Sequence, residues 1–165
     1  YGPAIKHVID WYIESLGDIT LENNIISIQI ALEALSYIIL VEKEGLLDDE
    51  QFDQNNASKN IKLVLNACNI PHGSDELELF DDWIRGTFDD GVDLVIYFRN
   101  KIVHPVRKDN RANLTVEDMW NIIQIGTKYI ELIVLSFIGY KGEYSNRLKE
   151  RWFGEVEVVP WNKLD

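Results

Sequence analysis

Residues Leu21 to Lys43 constrain this chain more than any other stretch. They read as one long helix that is apolar almost all round, with Gln29, Glu33 and Ser36 on one narrow stripe. A membrane span needs about 20 mostly apolar residues. The core of this stretch, Ile25 to Val41, is interrupted by Ser27, Gln29, Glu33 and Ser36. The segment is therefore expected to be a helix buried at the centre of a bundle, with no membrane contact.

The other segments are of a kind that would surround such a helix. Pro3 suits the first turn of a helix, and Ile5, Val8, Ile9, Tyr12, Ile13 and Leu16 follow at helical spacing until Gly17. Thr20 is placed to cap the central helix. Gly45 to Asn56 is polar and acidic and reads as a loop. Ala57 to Ala67 predicts a third helix with Ile61, Val64 and Leu65 inward, and Pro71-His72-Gly73 a turn. Leu77 to Ile84 suggests a short helix. Asp89 and Asp90 sit where a helix dipole favours negative charge, opening a helix that Pro105 ends after Val103 and His104. Thr115 and Asp118 resemble a capping box ahead of a long apolar helix from Met119 to Phe137. Tyr144 to Phe153 reads as a last short helix before an extended tail. The expected fold is all-α: a single domain over residues 1–165, a bundle of four to five main helices with a short extended C-terminal tail.

Charge narrows the function. The formal net charge is −12, which argues against a protein that coats duplex nucleic acid. A small basic cleft is compatible with that balance. Between Arg99 and Arg111 the local balance is +4, whereas Asp75 to Asp93 carries −7. Cys68 is the only cysteine, so no intrachain disulfide is possible and a reducing, cytoplasmic setting is expected. The start lacks a basic-then-apolar leader, and the missing initiator Met suggests part of a longer protein. No cofactor and no metal are expected. There is no phosphate-cradling glycine loop, and no His/Asp/Glu cluster at metal spacing. Trp11, Trp83, Trp120, Trp152 and Trp161 are expected to serve packing rather than base stacking.

The segment Ile96-Tyr97-Phe98-Arg99-Asn100-Lys101-Ile102-Val103-His104-Pro105 carries the chemistry. On a helix, Val92, Val95, Ile96 and Val103 share a face with Arg99 near its middle. A charge within an apolar stripe must be paired or open onto a cleft. Asn100 and His104 lie four apart, beside it. A histidine can move a proton near neutral pH, an arginine offers a planar fork to phosphate oxygens, and an asparagine can orient either. These residue types suit metal-independent cleavage of a phosphodiester.

Arg99-Asn100 with His104 resembles the Arg-(four to six residues)-His motif of HEPN domains. The Leu32-Glu33-Ala34-Leu35 helix and the tail from Gly142 to Trp161 resemble the C-terminal HEPN domains of bacterial anti-phage defence proteins of the ApeA type. The resemblance implies a helical bundle and a homodimer that brings two motifs together. It also implies endoribonuclease activity, in defence or as a toxin. On that basis Arg99, Asn100 and His104 are catalytic and Glu33 supports them. Lys101, Arg107, Lys108 and Arg111 form a lip for the RNA substrate. The domain is then the C-terminal part of a longer protein whose N-terminal region is the sensor. The rival reading is a non-catalytic HEPN module that dimerises or binds RNA or a nucleotide, and a weaker one is an antitoxin-like partner.

Overall fold

The computed structural model describes residues 2–17, 20–104, 114–149, 152 and 154–162. It is an all-α bundle, mostly helical, with one small two-stranded sheet among the described residues. Five helices are long: α1 (Gly2–Ser15), α2 (Leu21–Tyr37), α4 (Ala57–Ala67), α6 (Gly91–Val103) and α7 (Val116–Phe137). Two are short: α3 (Asp49–Gln54) and α5 (Asp82–Thr87). Strands β1 (Glu143–Tyr144) and β2 (Glu157–Val158) pair antiparallel, Glu143 opposite Val158.

The apolar helix takes the central place. α2 packs against α1, α4, α6 and α7, and Ile25, Ile28, Leu32 and Leu35 are buried. Thr20 caps it by accepting the Asn23 N–H. Gly126 lets α7 approach it, because a Cβ there would run into the Ile28 side chain. The stretch from Leu21 to Lys43 is long and apolar enough to cross a membrane, yet it lies mostly buried inside the protein.

Four local expectations need correction. The central helix is not α-helical throughout: Ile38–Lys43 forms a wider π turn, closed by Gly45 in the left-handed region. The loop expected over Gly45 to Asn56 contains α3. Asp48 accepts the Gln51 N–H at 2.8 Å, and the Gln51 amide oxygen accepts the Asp48 N–H at 3.0 Å, a capping box. Phe52 meets Tyr37 edge-on at 5.2 Å, which ties α3 to α2. The helix expected over Leu77 to Ile84 is split into a 3₁₀ turn, Ser74–Leu77, and α5 capped by Asp81.

The fourth correction concerns the C-terminal segment. A helix over Tyr144 to Phe153 does not form among the described residues. Tyr144 is in β1, Asn146 donates to Glu157 at 2.7 Å, and Arg147 binds Glu131 of α7 through Nε and Nη2. These non-local polar bonds draw the segment away from the helix its local pattern suggested.

Candidate functional site

α6 presents two different ends. Its N-terminus is capped by Asp90, whose carboxylate accepts the Asp93 N–H at 3.0 Å. Lys62 of α4 bridges Asp90 at 2.9 Å and Asp93 at 2.7 Å, and Ser58 donates to Asp93. Burial pushes the Asp93 carboxyl up, but the Lys62 and Ser58 bonds outweigh it and hold the group below its ordinary range. His72 Nδ1 lies 3.5 Å from Asp90.

Behind this cluster, Glu76 is buried with Lys128 at 2.6 Å and with the Tyr129 hydroxyl, which donates to its other oxygen. Burial, then the Glu76 carboxylate, push the Tyr129 phenol well above its ordinary range. Gly91 is required where these groups meet the helix start. A Cβ would stand 2.7 Å from Ile125 Cγ2, 2.8 Å from Tyr129 Oη and 2.9 Å from Glu76 Oε2.

The C-terminal end carries the Arg–His motif. Val92, Leu94, Val95 and Phe98 bury the inner face of α6. Phe88 meets Tyr97 at 5.0 Å and Tyr97 meets Phe98 at 5.1 Å, which keys the helix to the end of α5. Arg99 emerges half-buried, and Asn100 and His104 are exposed. Arg99 Nη1 donates to Asn100 Oδ1 at 3.2 Å, while its Nε is buried without a hydrogen-bond partner. His104 is the C-cap, its N–H bonded to the Asn100 carbonyl at 3.0 Å. The helix therefore ends where the proline-limited pattern predicts.

Other predicted site residues stand less simply. Glu33 is half-buried on α2 and accepts a bond from Gln29 Nε2; it makes no ion pair with Arg99. Lys101 rests over the Tyr97 ring, 4.8 Å from its centre. Arg107, Lys108 and Arg111 lie outside the described residues. The expected packing role holds for Trp161, which is half-buried against the core, and in part for Trp83, which is exposed but meets Phe88 edge-on at 6.2 Å; Trp11, Trp120 and Trp152 are exposed. Among the described residues, no group of three or more His, Cys, Asp or Glu side chains is placed to hold a metal ion.

Sequence reasoning missed the polar cluster at the other end of α6, and with it a cleft of about 320 Å³ lined by His72, Glu76, Lys128, Asn146 and Lys149 among others. A signal was available. Lys128 interrupts the apolar run of α7 between Ile125 and Ile130, as Arg99 interrupts that of α6, and the same need for a partner applies.

Comparison with known proteins gives this geometry a family. Residues 1–158 match the model of the YopA C-terminal domain. The chain is 34% identical, over its whole length, to the SPbeta prophage-derived uncharacterized protein YopA of Bacillus subtilis (strain 168). It belongs to the YopA C-terminal domain family. The match takes up 37% of that relative, so the chain spans little more than a third of its length. No solved structure matches the chain.

Proposed function

We propose that this domain is a metal-independent endoribonuclease whose active site is shared by two copies in a homodimer, with Arg99, Asn100 and His104 as catalytic residues. The observation that carries the reading is the placement of these three residues at the C-terminal end of α6, with Asn100 and His104 exposed and the half-buried Arg99 bonded through Nη1 to Asn100. A guanidinium with one side-chain hydrogen bond, made through Nη1, has terminal N–H groups left for a phosphate oxygen.

In the proposed reaction His104 removes the proton of a ribose 2′-hydroxyl, and the 2′-oxygen bonds to the adjacent phosphorus. Arg99 donates to the phosphate oxygens as negative charge builds there, and Asn100 orients the guanidinium. The bond from phosphorus to the 5′-oxygen breaks, and the leaving oxygen takes a proton from the histidine of the second copy. The products are a 2′,3′-cyclic phosphate and a 5′-hydroxyl. One domain supplies one histidine here for two proton transfers, which is the physical reason for the dimer. Glu33 supports the site, and Lys101, Arg107, Lys108 and Arg111 bind the RNA.

The reading includes a cytoplasmic location, which the single Cys68 suits, and a role in defence or toxicity, which the HEPN resemblance implies. The relative's prophage origin fits a nuclease used in competition between phages, under the control of an N-terminal sensor domain in the full-length protein. The test is cleavage of end-labelled RNA by purified protein in the presence of EDTA. His104→Ala and Arg99→Ala are each expected to lower the rate about 100-fold or more. Equal cutting by the double variant would reject the assignment. RNA retained but never cut by the unaltered protein would favour the binding module.

A further inference from the structure

α1 is more apolar than its place in the core requires. Ala4, Ile5, Val8 and Tyr12 pack against the bundle. Helical spacing places Ile9, Ile13 and the following Leu16 on an adjoining strip four and three residues apart. These three are 43%, 61% and 47% exposed. Beside this strip lies a pocket of about 560 Å³, walled by Val8, Ile9, Ile130, Val134 and Leu135. At its polar edge Arg147 binds Glu131 at 2.6 Å, and Tyr12 donates to the same carboxylate at 2.6 Å. No residue of α6 lines it. The groove is thus separate from the motif, and the inference does not depend on the proposed nuclease activity.

We propose that this groove seats an amphipathic helix from the polypeptide that precedes the domain in the full-length protein, its aliphatic ridge lying along Ile9 and Ile13. The matched family is a C-terminal domain, and about two thirds of the Bacillus relative lies outside the match. In a chain of that design the preceding residues lead directly into α1, the helix that forms one wall. A short tether gives such a segment a high local concentration at the groove. A second copy of the domain would have to reach the groove from free solution, without the local concentration that the tether supplies. Ile9 lines the groove, and Ile13, one turn further along the same exposed strip, is also exposed; an amphipathic helix lays its apolar face into a surface of this kind.

Hydrogen exchange of the full-length protein, compared with its Ile9→Asp/Ile13→Asp variant, tests this. Peptides from one stretch of the preceding region are expected to exchange at least tenfold faster in the variant, while α2 and α7 keep their protection and the mass in solution is unchanged. Ile13→Ser, at the most exposed of the three positions, is expected to produce a smaller change in the same stretch and guards against a folding defect in the double variant. Unchanged exchange throughout the preceding region with both variants would overturn the proposal. So would a fall in mass from dimer to monomer, which would make a second copy the occupant.

Discussion

The two ends of α6 put the same kinds of side chain to opposite uses. At Gly91 the charges face inward: Asp90, Asp93, Lys62, Glu76 and Lys128 form ion pairs, and Tyr129 completes a buried triad. At His104 the polar groups face outward, and the one side-chain hydrogen bond among Arg99, Asn100 and His104 joins the first two. A buried ion pair is costly to break and contributes little net stability over an apolar replacement. An exposed polar group contributes little to folding and remains available to a ligand. The comparison teaches that a charge in an apolar helix is not by itself a functional signal. Lys128 and Arg99 carry the same mark in the sequence, and only their surroundings separate them.

The largest expected effect tests the inward end. Glu76→Leu leaves Lys128 buried without its partner and should cost about 3–5 kcal/mol in urea unfolding. Glu76→Leu/Lys128→Met should recover at least half of that loss, because no lone charge remains. A double variant as unstable as the single one would break the contrast. Gly91→Ala comes next. Its methyl would crowd Ile125, Tyr129 and Glu76, so a loss of about 1–3 kcal/mol is expected from overpacking, seen as a lower urea midpoint.

Asp93→Asn should cost about 1–2 kcal/mol at neutral pH, the range for a charged hydrogen bond that is partly solvated. Because the folded carboxyl sits below its ordinary range, its stabilisation is complete above the unfolded value of about 3.9. It is lost as pH falls through the lower folded value. The difference between the two proteins should therefore close as the pH of the unfolding experiment is lowered below about 4. A gap that widened with acid would contradict the assignment. The smallest effect belongs to the outward end: Arg99→Ala and His104→Ala should each change unfolding stability by less than about 0.5 kcal/mol. A larger loss would show that this end, too, serves the fold.

Much of the bundle was legible from pattern. The buried central helix followed from its lack of a polar face, and α4 appeared over Ala57–Ala67 with Ile61, Val64 and Leu65 inside, as periodicity required. α7 started from its Thr115–Asp118 capping box. The end of α6 at His104 also followed. α3 was missed although Asp48 and Gln51 form a legible capping signal, because an acidic, polar stretch reads first as a loop. The segment after Tyr144 was misread for a different reason. Its partners, Glu131 and Glu157, are brought to it by the chain's path and leave no local trace.

The sequence alone determined that the five long helices had to form and that α2 had to be buried, since both follow from local spacing and from the cost of exposing apolar surface. It also set the order Arg99, Asn100, His104 along one helix end. Tertiary structure decided which charges became partners. Glu76 reaches Lys128 and Tyr129 across more than fifty residues, and Lys62 reaches Asp93 across thirty-one. Pairings of that kind depend on how helices pack, and no short-range pattern encodes them.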